Sequence, residues 1–468
     1  MMLRLHHAML ILLAACAPRA APAPREAPAT REPGGAVAAQ GAAAPALSLR
    51  DLGAVFGIAT DDAEAASART IDAYRQWVRR MLKQPEPYNV FMPVLLGVFV
   101  ELPSDRTVGL VTLSTAETRD HRTFYYRGKP CPDTELERVR PWWSPATEVW
   151  VCHNDHRPEL IRERDYSCDM IGPLPEGSAC GCGPNLMFCG SQEQKDATRQ
   201  ATRDELRLTL QRAIEQGRPF GEILTTNATV RPGLADLFTA RAEFFVTGRF
   251  TPPDLQAPVA LRPRPALFKG GMLSTPLFLF GDSQRSMVAS IWETFLCVSL
   301  KSQEVGTKTI LEKLRAETFP RESALPQLAS TVGCQNCHAR LEYGQHFMVG
   351  WQSWLKGMHY EPAVAAAIPK APFYVRDHHD LRAEVPADLG ALGEQIRRQP
   401  EFARCMVTKM TNLIYEGTEV PHELERRLEA RFARDERMDT LIEDAVIARA
   451  FGVLAPAPRD PSDPERRR

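Results

Sequence analysis

Cys334-Gln335-Asn336-Cys337-His338 reads CxxCH, the residue types and spacing of covalent c-type haem attachment. Two thiols three positions apart can each add to one vinyl group of the porphyrin. The adjacent imidazole can then ligate the iron from the proximal side. Cys334 and Cys337 are therefore assigned to the thioether bonds, and His338 to the proximal iron position. A CxxC redox pair would sit in a βαβ pattern, and none surrounds these residues. For the sixth iron position Met348 ranks first, followed by Met358, His346, His359, Met406 and Met410. A methionine there raises the reduction potential, a histidine lowers it, and an open position admits catalysis. Phe347, Trp351 and Trp354 follow the motif and either wall the haem or pack as ordinary core.

Haem c is attached outside the cytoplasm, so the chain should carry an export signal. Met1-Met2-Leu3-Arg4 precedes an apolar run over 8–15. That run is shorter than the ~20 residues a spanning helix needs and suits a signal-peptide core. It ends Leu13-Ala14-Ala15-Cys16, which resembles a bacterial lipobox with Cys16 as the lipidated residue. More than one acyl chain on Cys16 would anchor the protein stably. The alternative is an ordinary signal peptide with Cys16 incidental. Ala17, where an Asp would retain a lipoprotein, implies by that resemblance an outer-membrane location, periplasm-facing or on the cell surface. No later run is long and apolar enough to span a bilayer.

The remaining chemistry is sparse. A net charge of -1 and a pI near 6.8 give no nucleic-acid surface. There is no phosphate loop and no nucleophile elbow. Eleven cysteines suit an oxidising compartment. Once Cys16, Cys334 and Cys337 are assigned, eight remain: Cys131, Cys152, Cys168, Cys180, Cys182, Cys189, Cys297 and Cys405. That even number permits four disulfides. Zinc at Cys180, Cys182 and Cys189, with His153 and His156, is the weaker reading, because structural zinc favours two well-spaced ligand pairs.

The elements that would position the motif divide the 468 residues into consecutive segments. Residues 1–16 are the signal, and 17–47 an Ala/Pro tether too poor in large apolar side chains to fold. An N-terminal α+β region with a Cys-rich, disulfide-stapled insertion covers 48–190. Within it a helix carries Ile71, Tyr74, Val78, Met81 and Leu82 on one face, with Asp61 or Asp62 as its cap. A helical domain spans 191–300: Leu206, Leu210, Ala213 and Ile214 share a face, Gly217 suits a C-cap, and 252–265 reads as a linker. The haem segment is 301–380, with His378-His379-Asp380 a loop. A C-terminal helical domain follows at 381–454, with helices at 388–398, 402–415 and 423–451, and then a tail at 455–468. The fold class is mainly α: a multi-helix c-type haem domain behind an N-terminal α+β, disulfide-rich region.

Several segments of the second half resemble a family of secreted proteins found with planctomycete-type c cytochromes. These are Arg218-Pro219-Phe220-Gly221-Glu222-Ile223-Leu224-Thr225-Thr226, Gly270-Gly271-Met272-Leu273-Ser274, Phe295-Leu296-Cys297, the CxxCH motif, Asp388-Leu389, Phe402-Ala403-Arg404-Cys405 and Tyr415-Glu416-Gly417. The match covers roughly 218–417. The acidic-Pro-Gly stretch usual after the haem histidine is replaced by Leu341-Glu342-Tyr343-Gly344. The resemblance implies a mainly helical fold around a CxxCH segment, and it implies that Cys297 pairs with Cys405. The expected activity is single-electron transfer by a membrane-anchored monohaem cytochrome lipoprotein with an unidentified redox partner protein. The alternatives are a peroxidase-like haem oxidoreductase with an open iron site, and a binding or surface-assembly lipoprotein with a structural or sensory haem.

Overall fold

The computed structural model describes residues 48–56, 69–84, 95, 97, 110–118, 120–155, 182–279, 284–299, 335–352, 359–360, 362–377, 379–416 and 418–452. Side chains are not described at 55, 111, 335–339, 352 and 359. The expected signal, Cys16, the tether, Asp61, Asp62, His156, Cys168, Cys180, Cys334, Trp354, Met358 and the tail lie outside these residues.

The chain opens with α1 (Leu49–Val55) and α2 (Ile71–Leu82). Short strands follow: β1 (Val111–Thr112), β2 (Ser114–Glu117), β3 (Thr123–Tyr126), β4 (Leu136–Val139), β5 (Val149–Cys152) and β6 (Cys189–Gly190). The helical part comprises α3 (Gln192–Glu215), β7 (Ala228–Arg231), α4 (Asp236–Thr247), β8 (Ala260–Pro263), α5 (Pro276–Leu279) and α6 (Gln284–Leu296). After the CxxCH motif begins come α7 (Gln335–His346), β9 (Trp351–Gln352), β10 (His359–Tyr360), α8 (Pro362–Ala367), β11 (Lys370–Tyr374) and β12 (Leu381–Pro386). The last elements are α9 (Leu389–Arg397), α10 (Pro400–Tyr415), α11 (His422–Asp435) and α12 (Met438–Phe451). The protein is mainly helical with small sheets.

The described residues form two compact units that do not follow sequence order. The larger takes residues 110–212 and 221–399. Its four-stranded sheet has the order β2-β3-β5-β4, with β3 parallel to β5 and the other pairs antiparallel. Val139 and Val151 turn one face toward Leu113, Leu186, Cys182 and Cys189. The disulfides Cys131–Cys152 and Cys182–Cys189 staple this region, as the crowded cysteines predict. Cys182 is therefore spent in a disulfide, which removes it from the zinc reading. Among the described residues no cluster of three His, Cys, Asp or Glu side chains could hold a metal ion. Cys297 and Cys405 are each disulfide-bonded as well.

Buried Arg241 of α4 donates from Nε to the Met187 carbonyl at 2.7 Å, with its guanidinium over the Phe188 ring. Trp142 donates to the Cys189 carbonyl at 2.9 Å. These bonds satisfy backbone acceptors of the Cys182–Cys189 loop that would otherwise be buried without a partner. The stretch expected as a linker contains β8, which pairs antiparallel with β7 over Ala228↔Pro263 to Arg231↔Ala260. Prolines at 252, 253, 258, 263 and 265 hid this strand. β8 lies at the edge of a two-stranded sheet, where a missing N–H is tolerated.

The smaller unit takes 48–97, 213–220 and 400–452. Thr70 caps α2, its Oγ1 accepting the Ala73 N–H at 3.2 Å; the expected cap at Asp61 or Asp62 is thereby corrected. Tyr74, Trp77, Val78, Met81 and Leu82 form the buried face. Tyr74 meets Phe451 of α12 edge-on at 5.0 Å. Arg79 makes a bidentate contact with Glu443 at 2.6 and 3.1 Å. The single helix expected over 423–451 is two, α11 and α12. Glu436 breaks it in the left-handed region at φ +53°, and its carbonyl accepts the Phe220 N–H at 2.8 Å. No Gly or Pro marks this break, because a tertiary hydrogen bond supports it.

Asp444 of α12 pairs with Arg431 of α11 at 2.9 Å, and both are largely buried. Burial pushes the Asp444 carboxyl up to about 6 against the pull of Arg431 and Arg75. The unfolded chain therefore loses this proton near pH 3.8 while the folded chain keeps it to about 6. The Asp444 contribution to stability thus falls as pH rises through that interval and is level above it. Urea midpoints from pH 4 to 7 should show Asp444→Asn gaining on the wild type across this window. A constant difference between the two would refute the assignment.

Candidate haem-attachment helix

Residues 337 and 338 lie in the first turn of α7, which starts at Gln335. At 100° per residue, positions 340, 344 and 347 fall on one side. Arg340 and Phe347 are buried there. A Cβ added to Gly344 would come within 2.6 Å of Val288 Cγ1, so α7 and α6 approach closely at that point. Positions 338, 342 and 345 fall on the opposite arc. Glu342 and Gln345 on that arc are polar, Glu342 being sheltered in an ion pair with Arg285 of α6. The side of α7 that carries position 338 is thus not committed to the apolar core. That arrangement fits a prosthetic group attached at the helix start.

The N-terminal end of α6 grips α7 and the turn after it. Gln284 donates to the carbonyls of Met348 at 3.3 Å and Trp351 at 2.9 Å. Arg285 pairs with Glu342 at 2.6 Å, and Gln345 donates to the other Glu342 oxygen at 2.9 Å. The β11–β12 hairpin closes the next side; its strands were missed because Pro372 and Pro386 interrupt their patterning. Tyr343 stacks on Tyr374 at 5.5 Å, and Phe347 meets Phe373 at 6.4 Å. Trp292 of α6 donates to the Tyr374 carbonyl at 3.0 Å.

The sixth-ligand candidates are dispersed. Met348 is fully buried in the turn after α7. Met406 and Met410 are fully buried in α10, within the smaller unit. His346 ends α7 with its ring against Tyr343 at 5.6 Å; burial holds its pKa below the usual imidazole range, opposed by the Glu342 carboxylate. Positions 338 and 346 are about 12 Å apart along the axis of α7. Phe347 and Trp351 are buried against protein: Phe347 meets Phe373, and Trp351 meets Phe268 and Tyr360, each at 5.0 Å. Ordinary packing accounts for both.

Sequence reasoning found the motif but not the helix α7 that carries it, nor the surrounding grip. Gln284, Arg285, Trp292 and Glu342 carry no spacing signature, since they meet only in three dimensions. No family model matches the chain, and neither a characterised protein nor a solved structure matches it.

Proposed function

We propose that this chain is a membrane-anchored monohaem c-type cytochrome lipoprotein that passes single electrons in the periplasm. The supporting observation is the CxxCH sequence running into the first turn of a helix whose opposite face is packed into the core. Cys334 and Cys337 would hold one haem c and His338 would ligate its iron. The haem supplies one-electron exchange between ferrous and ferric iron. The protein contributes a rigid mount: Gly344 lets α7 seat closely on α6, and Gln284 and Trp292 fix the flanking backbone. Cys16 would carry the lipid, giving an outer-membrane lipoprotein that meets a redox partner protein.

Full burial of Met348 favours a second reading. If that side chain stays in the core and no other candidate takes the sixth position, an open iron site would suit a peroxidase-like oxidoreductase. Protein should be matured in a host that attaches haem c. The peptide containing 334–338 is expected to weigh its amino acids plus one haem, and the bare peptide mass would refute the proposal. Low-spin spectra indifferent to CO support the electron carrier, and a CO-reactive high-spin haem supports the enzyme. Met348→Leu should leave the spectra unchanged if Met348 is only core, because the swap conserves volume.

A further inference from the structure

We infer that the Arg285–Glu342 ion pair sets the charge beside the haem ligand His338, and with it the reduction potential of the iron. This rests on the haem reading above. Positions 338 and 342 are i,i+4 neighbours on α7, one turn apart on the same side of the helix. Glu342 is thus the acidic residue one helical turn beyond the proximal ligand. Its carboxylate is held on both oxygens, by Arg285 at 2.6 Å and by Gln345 at 2.9 Å. The cation that balances it comes from a different helix. Arg285 begins the second residue of α6, and α6 is fixed to α7 by the close approach of Val288 to Gly344 and by the Gln284 hydrogen bonds.

The pair is sheltered, with 11% of the Glu342 side chain and 28% of the Arg285 side chain exposed. Charges in such a place are screened much less than on an open surface. Intact, the pair is neutral overall. With one member removed, a full charge remains about one helical turn from the iron ligand. A negative charge favours ferric over ferrous iron and lowers the potential; a positive charge does the reverse. Groups placed just behind a metal-bound histidine tune metals in this way generally. Other charged groups in reach act equally on every variant.

The test is a redox titration followed by optical spectra on the full haem-bearing chain. Arg285→Leu should lower the midpoint potential and Glu342→Gln should raise it. The double variant should return close to the wild type, and Arg285→Lys should hardly move it. If Arg285→Leu does not accumulate, Arg285→Gln makes the same charge change with a polar side chain. Two single variants that shift in the same direction would indicate altered packing or haem exposure and overturn the inference. Unmoved potentials in haem-bearing protein overturn the inference alone. Protein that carries no covalent haem overturns the haem reading and this inference together.

Discussion

Arg264→Met should destabilise the larger unit by about 3–5 kcal/mol, the cost of removing one partner from a buried ion pair. Glu205 and Arg264 are 0% and 1% exposed, and they meet directly. Thr229 donates its hydroxyl to the same Glu205 oxygen. Arg264 also donates to Thr229 and to the Ser274 carbonyl, both at 3.3 Å. Arg231 joins through Thr229 at 2.9 Å and extends the network to Asp236 at 2.6 Å, where Arg262 also binds at 2.7 Å. The second Glu205 oxygen has no hydrogen-bond partner among the described residues. Without Arg264 that buried carboxylate loses the cation in contact with it and keeps the Thr229 hydroxyl. A domain is stable by only about 5–15 kcal/mol, so the loss would be a large share. Glu205→Leu with Arg264→Met should recover most of it, because an apolar pair of similar volume is often neutral or better than a buried salt bridge. Urea unfolding with an unchanged slope is the measurement. A shift under about 1 kcal/mol for Arg264→Met, within the range of an ordinary hydrogen bond, would show the carboxylate is not truly desolvated.

None of that network was legible in the sequence. Glu205 sits on α3 among surface-type residues, with Asp204 and Arg207 beside it in an ordinary i,i+3 ion pair at 3.1 Å. Nothing in the spacing separates a buried Glu from an exposed one. What could be read was periodicity. Leu206, Leu210 and Ile214 are buried as predicted, and so are Tyr74, Val78, Met81 and Leu82 of α2; helices expected at 388–398 and 402–415 are present as α9 and α10. Asp388 caps α9, accepting the Ala391 N–H at 2.8 Å. Local chemistry failed where a distant partner decided the outcome. Phe220 supports the break at Glu436, and β7 recruits a proline-rich stretch as β8. The CxxCH motif was legible because its chemistry is local. The Arg285–Glu342 pair was not, because its members come from separate helices.

Three of the segments that carried the family resemblance, 218–226, 270–274 and 388–389, meet at one packed point, and this gives the second large effect. A Cβ at Gly271 would lie 2.0 Å from the Ile223 carbonyl oxygen, and one at Gly393 would lie 2.0 Å from the Leu224 oxygen. Gly270, at φ +106°, packs the same way against Leu389, where a Cβ would sit 2.7 Å from Cβ of that residue. The turn at 223–224 thus receives one glycine from the Gly-Gly-Met-Leu-Ser stretch and another from α9. Helix propensity alone would make Gly393→Ala a gain of about 1 kcal/mol. The contact decides otherwise, because a backbone oxygen cannot rotate away as a side chain can. Overpacking typically costs about 1–3 kcal/mol and occasionally more. Gly393→Ala should therefore be destabilising, and Gly271→Ala more so, since φ +51° also strains any residue with a Cβ. Together they should cost less than the sum of the two, because one displacement of the 223–224 backbone relieves both clashes. Denaturation of the two single variants and the double variant measures the coupling. Strict additivity would mean the two glycines do not share a support, and a stabilised Gly393→Ala would mean the approach of α9 to Leu224 is looser than the structure has it.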